Sequence, residues 1–276
     1  MEAAFPSTTD APDLGDTARM RLLAVLCAVA ALGALPAAAL GQDADAAVAN
    51  ALAPKPAPLA VTPDPSYRPT DASTYVARLV TRVGVYKQAG GRNALISLAP
   101  WIASTGNPVV LQVLDRAVDD TGAGWLKVRL PSRPNGSTGW IREANTIVSK
   151  DVMRIVISLR KHRLTVFRKG RPVLRLGVAL GAPATPTPRG DFAIYQKVRE
   201  PGYSPLGPFA LHLTAHSNVL FEFAGGPGRV AIHGARGELW AAAGTNPSHG
   251  CIRVPDPGIV RVARLVRPGT PVEIVR

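Results

Sequence analysis

Two short segments of the chain contain side chains that could carry out acyl transfer. Residues 231–234 read AIHG, and residues 248–254 read SHGCIRV. A cysteine attacks a carbonyl as its thiolate, and a free thiol with a pKa of about 8.5 is only partly ionised at neutral pH. A neighbouring imidazole can take the thiol proton, so Cys251 could be a nucleophile with His233 or His249 as its base. The sequence therefore indicates nucleophilic catalysis through a Cys⁻/HisH⁺ pair.

The residues next to the cysteine could stabilise the negative charge that develops during such an attack. Side chains two apart on an extended strand point to the same side, so His249 could share the face of Cys251. Gly250 has no side chain, which lets a substrate approach the main chain. The N–H groups of Gly250 and Cys251 could then hold an oxyanion.

Each of these residues also has a plainer interpretation. Cys251 could be an inert buried thiol, and the histidines could be structural partners within a sheet. A zinc site of His233, His249 and Cys251 fits by ligand type, but it lacks the paired spacing of zinc motifs. Two further histidines, His212 and His216, could line the same cleft, but we expect them to lie at the surface.

Together the two segments resemble the signature of the L,D-transpeptidase catalytic domain, the YkuD-like family. That signature is a His-Gly pair and, after a spacer, Ser/Thr-His-Gly-Cys followed by an apolar residue and Asn or Arg. Here fourteen residues separate His233 from Ser248. Residues 187–192, which read TPRGDF, and residues 207–211, which read GPFAL, resemble two other segments of that family. The resemblance covers about residues 152–276.

The resemblance implies a role for each residue of the two segments. Cys251 corresponds to the nucleophile. His233 corresponds to the general base, which is held by a main-chain carbonyl, here that of Gly234. His249 corresponds to a residue of the substrate site close to the nucleophile, and Gly250 belongs to the same catalytic turn.

Three more residues are expected to contact the substrate. Ser248 and Arg253 flank the nucleophile, and Arg253 could bind a substrate carboxylate. Tyr203 lies in a Gly-Tyr-Ser-Pro loop, at the place where the family has a lid over its substrate. The resemblance implies no metal or cofactor.

The implied reaction is acyl transfer between peptidoglycan stem peptides, in cell-wall biogenesis and the maintenance of cell shape. Cys251 would attack the carbonyl of the third stem residue and release D-alanine. The acyl group would then pass to the side-chain amine of a neighbouring stem, which gives a 3→3 cross-link. Two alternatives stay open: an L,D-carboxypeptidase, in which water accepts the acyl group, and a wall-binding protein whose catalytic domain is inactive.

The N-terminus and the charge indicate an exported protein. Residues 20–41 have the basic start, apolar stretch and small residues of a signal peptide, so translation could begin at Met20. A retained membrane anchor is the alternative, for which the apolar stretch is short. Without residues 1–41, Cys251 is the one cysteine left, which excludes an intrachain disulfide.

The formal net charge of +13 suits anionic cell-wall polymers as partners. Nucleic acid is not an expected partner for an exported protein. We therefore expect a secreted, extracytoplasmic protein that is associated with the cell wall and has no stable membrane anchor after signal cleavage.

Before the catalytic segment, the sequence predicts a linker and a small β-domain. Residues 42–74 are rich in proline and alanine, which is typical of an extended linker. Residues 75–148 resemble a bacterial SH3-like domain, which implies a small barrel with Trp125 and Trp140 in its core. The resemblance rests on short apolar-alternating runs separated by turns, at residues 83–86, 109–114, 125–130 and 139–141.

For residues 151–276 we predict a β-fold with one or two helices, so the chain as a whole is mainly β. A helix near the end would be capped by Asp256 and closed by Gly269. Because every motif residue lies in this part, we expect residues 150–276 alone to be active on soluble substrates. The SH3-like domain would retain the protein on the wall. Strands are predicted at residues 152–159, 163–167, 172–180 and 191–197.

Overall fold

The computed structural model describes residues 59–236 and 243–276, which are mainly β-strands. The strands of its first part are β1 (Val61–Pro63), β2 (Thr74–Leu79), β3 (Val83–Val85), β4 (Ile96–Leu98), β5 (Val110–Asp119), β6 (Gly124–Arg129), β7 (Thr138–Arg142) and β8 (Thr146–Asp151). The first sheet has the order β7-β6-β5-β2-β8, with β1 also paired to β5, and β3 and β4 form a separate two-stranded ladder.

Alternation of apolar and polar residues explains β2, β3, β5, β6 and β7, since each of these strands has one face buried in a shared core. The four runs predicted between residues 83 and 141 coincide with β3, β5, β6 and β7. Trp125 is fully buried, as predicted, and its indole N–H donates to Asp119 Oδ2 at 2.8 Å. Trp140 is half-buried and packs against the small buried cluster that contains Trp125. The SH3-like resemblance and the boundaries 75–148 stay predictions.

The predicted linker differs from the structure at its C-terminal end. Residues 61–63 form β1, and a 3-10 helix follows at Pro65–Tyr67. Asp64 holds this segment down, because it accepts the Ser66 N–H and pairs with Arg116. Residues 59–74 thus pack on the first sheet. The predicted signal peptide, the start at Met20 and residues 42–58 lie outside the described residues.

The second sheet has the order β11-β10-β9-β16-β12-β13-β14-β15. The predicted meander is confirmed by β9, β10 and β11, and the predicted strand at 191–197 lies within β12. Two neighbouring pairs are parallel, β9 with β16 and β14 with β15. The strands are β9 (Met153–Ser158), β10 (Arg163–Arg168), β11 (Arg171–Gly177), β12 (Gly190–Arg199), β13 (Phe209–His216), β14 (Arg229–His233), β15 (Ile252–Arg253) and β16 (Pro271–Val275).

One helix, α1 (Asp256–Leu265), packs its buried residues Ile259, Val262 and Ala263 into the core of the second sheet. The predicted cap is wrong, because Pro255 occupies the N-cap position and Asp256 is the first helical residue. The Asp256 carboxylate accepts the Ala235 N–H at 3.1 Å instead. Gly269 lies beyond the end of the helix, in the turn that leads to β16.

The two sheets are joined by polar contacts and by one aromatic side chain. Thr270 Oγ1 donates to Asp151 Oδ2 at 2.6 Å, and Gln196 Nε2 donates to Thr105 Oγ1 at 2.6 Å. Tyr195 of β12 packs against the core of the first sheet. The described residues, 59–236 and 243–276, accordingly lie in one compact unit. This changes the expectation for residues 150–276 alone, since that fragment would expose Tyr195 to water and lose the partners of its polar side chains.

Candidate active site

The pairing of β14 with β15 brings the two sequence segments together. Ile232 lies opposite Ile252 and His233 lies opposite Arg253, and Cys251 immediately precedes this ladder. Both isoleucines are fully buried in the core. Because successive side chains on a strand point to opposite faces, Cys251 and His233 both point away from that core. The structure thus places the predicted nucleophile and base on one face of adjacent strands.

A third side chain shares this face. His212 of β13 pairs with Ala231 on one side and with Gln196 on the other, so these side chains form one row across the sheet. His212 is half-buried, and its pKa is lowered, first by desolvation and then by the charge of Arg229. The surface position expected for His212 is wrong, and it is a second imidazole near Cys251.

The other histidine expected at the surface is also inside. His216 is only 2% exposed. Desolvation, followed by the charges of Arg229 and Arg133, lowers its pKa to about 4. Sequence alternation could not show this burial, because it arises where a loop of the first sheet covers the end of β13.

His233 has the geometry of a base with a fixed orientation. Its ring is 3% exposed, and Nδ1 hydrogen-bonds to the Gly234 carbonyl oxygen, as the resemblance implies. Because a carbonyl only accepts, Nδ1 carries the proton and Nε2 keeps its lone pair. Desolvation lowers the pKa of His233 to about 4, against the opposing effect of the Gly234 bond. His233 is therefore a neutral imidazole at physiological pH.

Asp256 and Gly207 pack closely against the main chain at Gly234. A Cβ atom added there would collide with Asp256 Oδ1 and would lie 3.0 Å from Gly207 Cα. Asp256 and Gly207 therefore fix the carbonyl that orients His233. The sequence offered a signal for each, since Gly207 belongs to the Gly-Pro-Phe segment and Asp256 was interpreted as a helix cap.

Replacing Gly234 by alanine is expected to lower activity by about 10- to 100-fold, because a shift of about 1 Å at a catalytic group can cost that much. The new methyl group would push the main chain away from Asp256 and turn the His233 ring. Turnover of a stem peptide by Gly234→Ala measures the effect, and thermal unfolding checks that the variant is folded. Full activity of Gly234→Ala would show that the carbonyl does not orient the base.

Ser248 holds the turn that carries the nucleophile. It is 1% exposed, and its hydroxyl donates to the Cys251 carbonyl at 2.6 Å and accepts the Gly250 N–H at 3.1 Å. Burial and these two bonds engage the Ser248 hydroxyl within its own turn, and its contact with a substrate stays a prediction. The Gly250 N–H is also engaged, so of the predicted oxyanion pair only the Cys251 N–H is left.

Gly250 is needed for its backbone conformation. Its φ is +115°, a region that side chains rarely adopt, and a Cβ there would meet only ordinary contacts. Two threonines support the same turn. Thr187 Oγ1 accepts the Gly181 N–H at 2.9 Å and donates to the Gly250 carbonyl at 3.0 Å, and Thr185 Oγ1 donates to the Ser248 carbonyl. Neither apolar alternation nor motif spacing predicts this supporting role for the two threonines.

The other predicted site residues are His249, Arg253 and Tyr203, and they differ in how far they are exposed. His249 is exposed, and its ring packs against Phe223 with centroids 4.8 Å apart. Arg253 is half-buried beside His233, and its charge lowers the pKa values of both His233 and Cys251. Tyr203 is 89% exposed in the loop between β12 and β13, where its substrate contact stays a prediction.

The pKa shifts of Cys251 and His233 do not favour the expected Cys⁻/HisH⁺ ion pair. Cys251 is half-buried, and desolvation raises the pKa of its thiol, with partial opposition from the Ala231 N–H and the charge of Arg253. The pKa of His233 is shifted downward. Both shifts favour the neutral forms. The free protein therefore holds a neutral thiol beside a neutral imidazole, and the proton has to move during the attack.

This neutral pair predicts a distinctive pH dependence. His233 gains a proton only as the pH falls through about 4, so kcat/KM should lack the usual histidine limb near pH 6.5. The rate of Cys251 alkylation by iodoacetamide should keep rising above pH 8.5, because the thiol pKa is raised. Rapid alkylation that is constant between pH 5 and 7 would instead demonstrate a preformed thiolate.

The described residues contain no group of three or more His, Cys, Asp or Glu side chains arranged to hold a metal ion. Within residues 59–236 and 243–276, no helix has the length and apolar character needed to cross a membrane.

Known proteins share this arrangement of segments. Residues 153–274 match the family model of the L,D-transpeptidase catalytic domain, YkuD. YkuD of Bacillus licheniformis is 31% identical over 121 residues, which are 44% of this chain and 64% of that protein. L,D-transpeptidase 1 of Mycobacterium tuberculosis is 30% identical over 132 residues, 45% of this chain and 51% of that protein. The match thus spans less than two thirds of the length of these relatives.

Two solved structures are also similar. An L,D-transpeptidase from Mycobacterium tuberculosis aligns with a TM-score of 0.38 at 17% identity, over 56% of this chain and 90% of that one. The catalytic domain of the Enterococcus faecium L,D-transpeptidase aligns with a TM-score of 0.31 at 22% identity, over 44% of this chain and 95% of that one. Residues 153–274, which are less than half of the chain, are thus similar to the L,D-transpeptidase (YkuD) catalytic domain.

Proposed function

We propose that this protein is a peptidoglycan L,D-transpeptidase that forms 3→3 cross-links through a cysteine acyl-enzyme. The observation that carries the proposal is that Cys251 and His233 lie on the same face of adjacent chain segments at β14 and β15, with His233 Nε2 free of a proton. The names of the relatives support the same reaction class. A covalent intermediate divides a difficult amide exchange into two easier steps.

In the first step, Cys251 Sγ attacks the carbonyl carbon of the third stem residue while the thiol proton moves to His233 Nε2. The Cys251 N–H would donate to the resulting oxyanion. Collapse breaks the bond to the terminal D-alanine, whose amine leaves with the proton from His233. The products are D-alanine and a thioester, and His233 is neutral again.

In the second step, the side-chain amine of a neighbouring stem attacks the thioester carbonyl and gives its proton to His233. The thiolate leaves and recovers that proton, so the enzyme returns to its starting state. Water in place of the amine would give a carboxypeptidase by the same route. A wall-binding protein without activity is the less favoured alternative, because Cys251 and His233 are both present and oriented.

The products distinguish these possibilities. The purified protein would be incubated with disaccharide-tetrapeptide muropeptides, and the mixture analysed by mass spectrometry. A dimer that has lost one D-alanine supports cross-linking, whereas a tripeptide monomer shows hydrolysis. Unchanged substrate together with retained wall binding would favour the inactive alternative.

We also propose that the protein is exported and retained on anionic wall polymers, which its net charge of +13 supports. Binding to insoluble sacculi should weaken from low salt to 0.5 M salt, because the Debye length is already about 10 Å at 0.1 M. Sedimentation of the protein with sacculi measures this. Sacculi stripped of their anionic polymers are the control and should bind less. Binding that is unchanged by added salt and by removal of the anionic polymers would contradict electrostatic retention.

A further inference from the structure

The connection between β13 and β14 reaches the catalytic turn. This segment, residues 217–228, is called the 217–228 hairpin. It reverses at Ala224 and Gly225, which both have positive φ, and Phe223 and Gly226 exchange main-chain hydrogen bonds across the turn. The ring of Phe223 lies 4.8 Å from that of His249, with 30° between their planes. The hairpin therefore contacts the His249 ring, two residues from Cys251 in the sequence.

Arg133 of the first sheet holds the hairpin by its main chain. Nη1 donates to the Ser217 carbonyl at 2.7 Å, and Nη2 donates to the carbonyls of Leu220 and Pro227 at 3.0 and 3.2 Å. The guanidinium carbon also lies 4.6 Å from the ring centroid of Phe221. One charged side chain thus joins both arms of the hairpin, and hydrogen bonds from a charged donor are roughly twice as strong as neutral ones.

Asn135 fixes the base of the hairpin in the same way that a neighbouring strand would. Its Nδ2 donates to the His216 carbonyl and its Oδ1 accepts the His216 N–H, both at 2.8 Å. Nδ2 also lies 3.1 Å from Asn218 Oδ1. Arg133 and Asn135 both belong to the connection between β6 and β7, which lies outside the catalytic-domain match at residues 153–274.

The main chain of the hairpin is closely packed at Gly228, where it meets the Arg133 side chain. At Gly228, where φ is +62°, an added Cβ would collide with the Leu220 carbonyl and lie 3.2 Å from Arg133 Nη2. The side chains of Val219, Phe221 and Phe223 are each about half exposed or more, so they bury little apolar area that could hold the hairpin by itself. The polar contacts from Arg133 and Asn135 therefore contribute much of what stabilises the conformation of the 217–228 hairpin.

We propose that Arg133 and Asn135 are positioning residues for acyl transfer: they fix the 217–228 hairpin, and through Phe223 they hold the His249 ring beside Cys251. This inference rests on the proposed function, since it assigns His249 a place in the substrate site. It gives the first sheet a part in catalysis in addition to any role in binding the wall.

A double-mutant cycle tests the route of action in the full chain. Arg133→Ala and Phe223→Ala should each lower kcat/KM for the muropeptide by about 10- to 100-fold, the cost of a misplaced catalytic group. If Arg133 acts through Phe223, the double variant should be no worse than Phe223→Ala alone. Asn135→Ala should lower kcat/KM in the same direction. Losses from Arg133→Ala and Phe223→Ala that simply multiply would overturn the proposal.

Arg142→Ala is the matched control, because Arg142 also belongs to the first sheet and its guanidinium carbon lies 4.4 Å from an aromatic ring centroid, that of Trp125. It should leave kcat/KM within about twofold of the wild type, and any small effect should be independent of Phe223→Ala. An equal loss with Arg142→Ala would indicate a general loss of structure and would contradict a positioning role for Arg133.

A measurement without substrate separates this inference from the proposed function. In long-range ¹H–¹⁵N spectra of the five histidines, Arg133→Ala should shift the His249 ring resonances and leave those of His233 in place. Unchanged His249 resonances would overturn the proposal whatever the activity. If the wild-type protein turns over no muropeptide, the proposed function fails, while the His249 spectrum still decides whether Arg133 positions that ring.

Discussion

Replacing Cys251 by alanine is expected to reduce the release of D-alanine from tetrapeptide stems by about 10⁴-fold or more, since removal of a nucleophile abolishes the covalent route. No other cysteine is present in the described residues. Loss of the thiol should cost about 1 kcal/mol of stability at most, because a half-buried cysteine packs as a small apolar group. The assay is the amount of D-alanine released, with thermal unfolding as the check on folding.

Cys251→Ser is the companion variant, since a hydroxyl keeps the shape of the side chain but is a much poorer nucleophile at neutral pH. It should be nearly as inactive as Cys251→Ala and should still bind the donor stem. Release of D-alanine by either variant at a tenth of the wild-type rate would show that another group attacks the substrate.

Replacing His233 by alanine is expected to lower kcat/KM at pH 7 by about 10²- to 10⁴-fold, the usual contribution of a general base. The loss should be large because desolvation raises the pKa of Cys251, so the thiol seldom ionises without help. Activity of His233→Ala should recover in part as the pH rises, when hydroxide removes the thiol proton directly. Complete pH profiles of kcat/KM for the wild type and the variant measure this recovery.

Two other imidazoles serve as comparisons for that experiment. His249→Ala should be less damaging, because His249 is exposed and packs on Phe223. His212→Asn tests the second ring on the catalytic face. If His212→Asn costs as much as expected for His233→Ala, and His233→Ala costs little, then His212 is the base.

Features that depend on local patterning could be predicted from the sequence. The strands β5 and β6 follow from the alternation of apolar residues, because one buried face imposes a period of two. The apolar face of α1 follows from its helical period. The closeness of His233 and Cys251 did not follow from spacing at all. It came from the resemblance of two separate segments to one family signature, and the parallel pairing of β14 with β15 gives its physical basis.

Features that depend on distant partners could not be predicted. The Asp256 carboxylate accepts the Ala235 N–H instead of capping the helix. This N–H comes within reach only after β14 and α1 have packed. The burial of His216 requires Asn135, 81 residues away in the sequence. Single-sequence patterns contain no information about such contacts.

The acyl-enzyme itself gives the most direct test of the central claim. The wild-type protein would be mixed with a tetrapeptide muropeptide, quenched in acid within seconds, digested, and mapped by mass spectrometry. The account predicts a thioester on Cys251 whose added mass equals the donor stem without its D-alanine. The adduct should disappear when an acceptor stem is added, as the cross-linked dimer forms. Turnover with Cys251 unmodified at every time point, or an adduct on another residue, would contradict the account.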